Sequence, residues 1–179
     1  MRNPSTTSFA RSSSDRRLIT TDGFRDLLEI GRQKRPELYD LQADKPPVLV
    51  SRDLRFGVAE RVHHDGTVEV ALDEQALRAA ARKLKEAGVE AVAICFLYGF
   101  VRPEHEAQAA RIVAEEMPGT FVSVGHQVAP EFREFERVST AVVNAYLAPS
   151  CRATSSAWPG AFPTSASARP RTSRNPTAA

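Results

Sequence analysis

The chain of 179 residues has two cysteines, one tryptophan and nine glycines, none of them adjacent to another glycine. Two cysteines make no disulfide framework. Cys95 lies in an apolar run and reads as a small buried hydrophobe, while Cys151 lies in a polar segment; a reducing cytoplasm fits this usage. The isolated glycines exclude a Walker A loop and a Gly-x-Gly-x-x-Gly fingerprint, because backbone amides that cradle phosphate need positions free of side chains. No apolar run approaches the roughly 18 residues of a membrane span, and the start has no apolar core of a secretory signal. We therefore expect no membrane partner and a cytoplasmic location. The histidines at 63, 64, 105 and 126 have no Cys or His at ligand spacing, so no metal site is expected.

Positive charge is unevenly placed. The net charge is +2. Residues 1–17 hold four arginines against one aspartate, and residues 148–179 hold four arginines and no acid, which leaves the central body net acidic. Phosphate backbones need clustered Lys and Arg, so no nucleic-acid partner is expected. Both ends are polar and aperiodic and are expected to be disordered. Prolines at 149, 159, 163, 170 and 176 would stop a long helix in the tail. The expected organisation is a head over 1–17, an α/β domain over 18–147 and a Ser/Ala/Pro/Arg tail over 148–179.

Within the centre, "RLIT" (17–20) reads as a strand. Thr21 or Asp22 would cap a helix over about 23–33, or line a cleft at the strand's end. "LRFGVAERV" (54–62) and "TVEVAL" (67–72) read as a hairpin about His64-Asp65-Gly66. Asp73 caps a helix with apolar positions 76, 77, 80, 81, 84 and 87, stapled by Leu72 and Leu77 and closed by Gly88. "VEAVAICFL" (89–97) is the pattern of a strand covered on both faces. Pro103 opens a further helix buried through Ala107, Ala110, Val113, Ala114 and Met117. "TFVSV" (120–124) follows as a strand, by a parallel crossover.

The last helix is predicted over 130–147. Phe132, Phe135, Val138, Val142 and Tyr146 form its core stripe. Glu131, Arg133, Glu134, Glu136 and Arg137 crowd its first turns, with Glu134–Arg137 and Arg133–Glu136 at ion-pair spacing. These five are either a solvated face or groups lining a cleft above the ends of parallel strands, where open α/β sheets place their sites. They are the candidate catalytic residues. Ser139 and Thr140 have no evident base, and Cys95 is expected to be buried and inert.

The ordered set "LITTDGFRDLLEIGRQ", "RPELYDL", "GVEAVAICFLYGF", "PEHE" and "SVGHQVAPEFREFERVSTAVVNAYL" resembles the N-terminal domain of the hydantoinase A / 5-oxoprolinase family. The resemblance implies a partial actin-like, sugar-kinase-like ATPase domain with a mixed sheet flanked by helices. It implies use of ATP and Mg²⁺, and either opening of a cyclic amide such as a lactam or hydantoin or a related carboxylation of a ketone. It also implies a hydantoinase B-type subunit or a homo-oligomer as partner. The family's Asp-Gly-Gly-Thr-type phosphate loop and second domain have no counterpart here. We therefore expect an internal piece of a larger ATPase, inactive alone, with head and tail in foreign reading frames. The alternative is a non-catalytic α/β module that associates with a partner or paralogue.

Overall fold

In the computed structural model, which describes residues 16–34, 39–40 and 47–156, the sheet is organised about two apolar strands, β1 (Arg16–Thr21) and β5 (Ala91–Cys95). They run parallel, with Leu18 opposite Ala93 and Ile19 opposite Ile94. Outside them lie β2 (Arg55–Val58), parallel to β1, and β6 (Phe121–Val124), parallel to β5. The order is β2-β1-β5-β6. Every pairing in this sheet is parallel; the antiparallel pairing is in a separate two-stranded ribbon of β3 (Arg61–Val62) and β4 (Val68–Val70).

Both faces of the sheet are covered. One face carries Ile19, Val92 and Ile94 against Leu77, Ala81 and Leu84 of α2 (Glu74–Glu86) and against Ala109, Ile112 and Val113 of α3 (Glu104–Glu116). The other carries the small residues Ala91, Ala93 and Cys95 against Val138, Ala141, Val142 and Ala145 of α5 (Glu134–Ser156). Small side chains on both partners let this helix lie close to the strand. The two short helices are α1 (Leu27–Ile30) and α4 (Gly125–Val128).

The cap of α2 is as predicted: the Asp73 carboxylate accepts from the Ala76 amide at 2.9 Å, and Leu72 and Leu77 are both buried. Gly88 takes φ +67 beyond the helix end. Asp73→Ala should lower the unfolding free energy by about 1 kcal/mol, read from the urea midpoint, whereas Asp73→Asn should cost only a fraction of that.

Several expectations are corrected. The helix over 23–33 is a single turn, flanked by Gly23 (φ +84) and Gly31 (φ +56), whose left-handed backbones interrupt a helix. The run 54–62 is not one strand of a hairpin. It serves β2 in the main sheet, turns at Ala59–Glu60, and then enters β3 in the ribbon. The buried face of α3 is Glu106, Ala109, Ile112 and Val113, with Met117 at its cap; Ala114 is exposed. The last helix begins at Glu134, because Arg133 has φ +81, and it runs through Pro149 to Ser156. Proline removes one amide donor, that toward the Ala145 carbonyl, and here the helix continues past it. The remainder of the head (1–15), the tail from 157, most of "RPELYDL" and the Cys151 side chain lie outside the described residues. Among the described residues no helix is long and apolar enough to cross a membrane.

Candidate active site

Parallel strands deliver their carboxyl ends to one edge of the sheet, and six of the eight buried polar residues stand there or beside it, the other two, Arg16 and Arg55, being the first residues of β1 and β2. Thr20 and Thr21 end β1, Glu60 follows β2, Phe96 to Gly99 follow β5, and His126 follows β6. The first turns of α3 and α5 add His105, Glu106, Glu134 and Arg137. Left-handed backbones at Tyr98 (φ +54) and Arg133 (φ +81) fall in the same region. Such strain persists only where surrounding structure holds it.

The larger of two networks is centred on Glu106, whose side chain is fully buried. Its Oε1 accepts from the Phe96 amide and from Arg137 Nη2, each at 2.9 Å. Its Oε2 accepts from the His126 amide at 2.6 Å and lies 2.9 Å from His126 Nδ1. Arg137 is equally buried. Its Nη1 donates to the Phe96 carbonyl at 3.1 Å and to Glu134 Oε2 at 2.7 Å, and its guanidinium stands 5.5 Å from the Phe100 ring centre. Glu134 Oε1 accepts from the Tyr98 amide at 3.2 Å. Burial pushes the Glu134 carboxyl above its ordinary value, against the opposing pull of Arg137. With both oxygens of Glu106 occupied by donors, this network works as a clamp on the 96–100 loop rather than as a proton acceptor.

Two glycines make the clamp sterically possible. A Cβ on Gly99 would stand 2.3 Å from Glu106 Oε1, and one on Gly125 would stand 2.8 Å from Cys95 Sγ. Beside the clamp is a cavity of about 10 Å³, room for about one water, lined by Thr20, Phe24, Leu97, Glu134 and Val138 among others. Cys95 borders it, but burial pushes its thiol far above the ordinary range, as expected for an inert cysteine.

The second network is smaller. The Thr21 hydroxyl donates to Glu60 Oε1 and accepts from the Leu97 amide at 2.9 Å. Glu60 Oε2 lies 3.0 Å from His105 Nδ1.

Of the five residues predicted at this site, the structure joins Glu134 and Arg137 and separates the rest. Glu136 pairs with Arg32 at 2.6 Å rather than with Arg133. Arg133 is exposed, with its guanidinium 5.3 Å from the Phe132 ring centre. Glu131 is exposed, and Phe132, expected in the core stripe, is 67% exposed because it precedes the helix. The solvated-face reading fails for Arg137. The Ser139 and Thr140 hydroxyls bond back to the carbonyls of Phe135 and Glu136, so neither is a nucleophile held by a base. Thr21 and Asp22 cap no helix; Thr21 belongs to the second network. Sequence reading missed Glu60, Glu106 and His105. For Glu106 a signal existed: Ala109, Ile112 and Val113 follow it at helical spacing, which places it on the apolar face.

The model of the hydantoinase/oxoprolinase N-terminal region matches residues 9–117. The chain is 42% identical over 134 residues to caprolactamase subunit alpha of Pseudomonas jessenii, covering 74% of this chain and 19% of that one. It is 34% identical to the acetophenone carboxylase gamma subunit of Aromatoleum aromaticum, over 73% and 20% of the two chains. Its fold superposes on the crystal structure of the ATP-dependent caprolactamase from Pseudomonas jessenii with a TM-score of 0.75 and 38% identity, covering 80% of this chain and 21% of that one. Superposition on acetone carboxylase gives 0.73 and 29%, covering 84% and 23%. The chain thus spans about a fifth of the length of each of these relatives. On the match over residues 9–117 and these identities, the chain belongs to the hydantoinase/oxoprolinase N-terminal-region family.

Proposed function

We propose that this segment is part of an ATP-dependent enzyme that opens a cyclic amide, a lactam or hydantoin, and that it does not turn over alone. The observation that carries this reading is the 42% identity to a caprolactamase subunit, above the 34% to a ketone-carboxylase subunit. Hydrolysing an unstrained amide needs activation, which ATP supplies in such enzymes by phosphoryl transfer. The residues described here do not fit Mg²⁺ and ATP by themselves. Among them no group of three His, Cys, Asp or Glu could hold a metal ion, and the glycines stand singly. In our reading the nucleotide is held elsewhere in the enzyme. The segment supplies a rigid wall at the strand ends, with Glu134 and Arg137 the predicted site residues that this wall fixes. Its partners would be the remaining polypeptide and a second subunit; both relatives named as subunits support that role.

Two outcomes are expected. Millimolar Mg-ATP should leave the melting temperature of the isolated chain unchanged, since a ligand stabilises only a state that binds it; a clear upward shift would count against the reading. Grafting residues 16–147 into caprolactamase subunit alpha should preserve lactam-dependent ATP hydrolysis. A folded, assembled graft without that activity would overturn it.

A further inference from the structure

The two buried carboxylates at the strand ends are neutralised differently. Glu106 has a permanent cation, Arg137, and two backbone amides. Glu60, whose side chain is also fully buried, has the Thr21 hydroxyl and the His105 imidazole and, among the described residues, no Lys or Arg. A buried carboxylate is costly unless paired and hydrogen-bonded. A purely structural one would be built like Glu106. At Glu60 the partner is instead a ring that can gain and lose a proton, and that ring is not sealed in: the His105 side chain is 12% exposed. Holding Nδ1 against the carboxylate fixes the tautomer with hydrogen on Nδ1 and a lone pair on Nε2. Nε2 has no hydrogen-bond partner among the described residues.

We infer that His105 is the proton acceptor at these strand ends and that Glu60, itself fixed by Thr21, is its positioning residue. This rests on the cyclic-amide reading for its substrate. The transfer is of one proton. An O–H bond of water breaks as its oxygen bonds to the acyl carbon: the proton forms Nε2–H, giving an imidazolium beside Glu60, and the carbonyl π pair moves onto the acyl oxygen. That pair re-forms C=O as the C–N bond breaks, and the leaving lactam nitrogen takes the same proton back from Nε2, which restores the neutral imidazole. Thr21 ties this pair to the Leu97 amide, and so to the loop that the Glu106 clamp holds.

Two measurements test this. In the full chain, ¹⁵N shifts of His105 at alkaline pH should show hydrogen on Nδ1; hydrogen on Nε2 overturns the inference whatever the activity. In the caprolactamase holoenzyme whose alpha subunit carries this segment, His105→Gln should lower kcat by about 10²–10⁴-fold with KM and melting temperature little changed. Glu60→Gln should lower kcat to a lesser degree and shift the His105 tautomer toward hydrogen on Nε2. A His105→Gln enzyme within threefold of its parent also overturns the inference. An inactive parent graft would count against the cyclic-amide reading alone, and the tautomer would then decide the assignment of His105.

Discussion

Arg137→Ala is expected to lower the unfolding free energy by about 3–5 kcal/mol, a large share of the roughly 5–15 kcal/mol that holds a typical domain together. The cause is what the truncation leaves behind. Glu106 keeps its burial and loses the permanent cation it has among the described residues, Glu134 loses the donor at 2.7 Å, and the Phe96 carbonyl loses Nη1. Arg137→Lys should recover little, because a single ammonium cannot replace a fork that reaches Glu106, Glu134 and the Phe96 carbonyl together. Glu106→Gln should be nearly as damaging. Both Glu106 oxygens accept, so either orientation of a carboxamide points its NH₂ at donors: Phe96 and Arg137 on one side, His126 on the other. Urea titration with constant m reads these effects. An Arg137→Ala protein within 1 kcal/mol of the parent would mean that the clamp is dispensable.

Gly99→Ala is expected to cost about 1–3 kcal/mol, the range for forcing atoms into a filled interior. The added methyl carbon would stand 2.3 Å from Glu106 Oε1, 2.6 Å from its Cδ and 2.9 Å from Arg137 Nη2. A flexible side chain on a surface would swing aside. Glu106 cannot without surrendering bonds to donors that are themselves fixed by β5, α4 and α5. At about 2–4 °C per kcal/mol for a chain of this size, the shift is measurable by calorimetry. An unchanged melting temperature would show that the carboxylate has room to move.

Much of the architecture was readable because burial leaves a periodic trace. β1, β5 and β6 appear as apolar runs, and α2 declares itself by Asp73, its stripe and Gly88. Reading failed where the deciding contact is remote. Nothing local in residues 54–62 says that the first half pairs with β1 and the second with β4. The helix over 23–33 has plausible spacing, but the glycines at its two ends take left-handed backbones. The site was half legible for the same reason. Glu134 and Arg137 were found because they are three residues apart on one helix. Glu106, His126 and Glu60 reach their partners across the sheet, and a charged letter in a sequence gives no sign that it is buried.

The register of the sheet also bears on how the chain assembles. β1 precedes both of its sheet neighbours in the chain, β5 on one side, with Arg16 opposite Ala91, and β2 on the other. A chain emerging from the ribosome therefore carries Ile19 uncovered until α2, β5 and α3 have followed, and Leu18 until α5 has. The unit β5–α3–β6 is contiguous and closes with short connections, so it is the natural nucleus. Docking of β1 between β2 and β5 is expected to be the slow, non-local step, because contacts far apart in sequence carry the largest loop-closure entropy. During that interval the segment around β1 is the part of the nascent protein most in need of a chaperone.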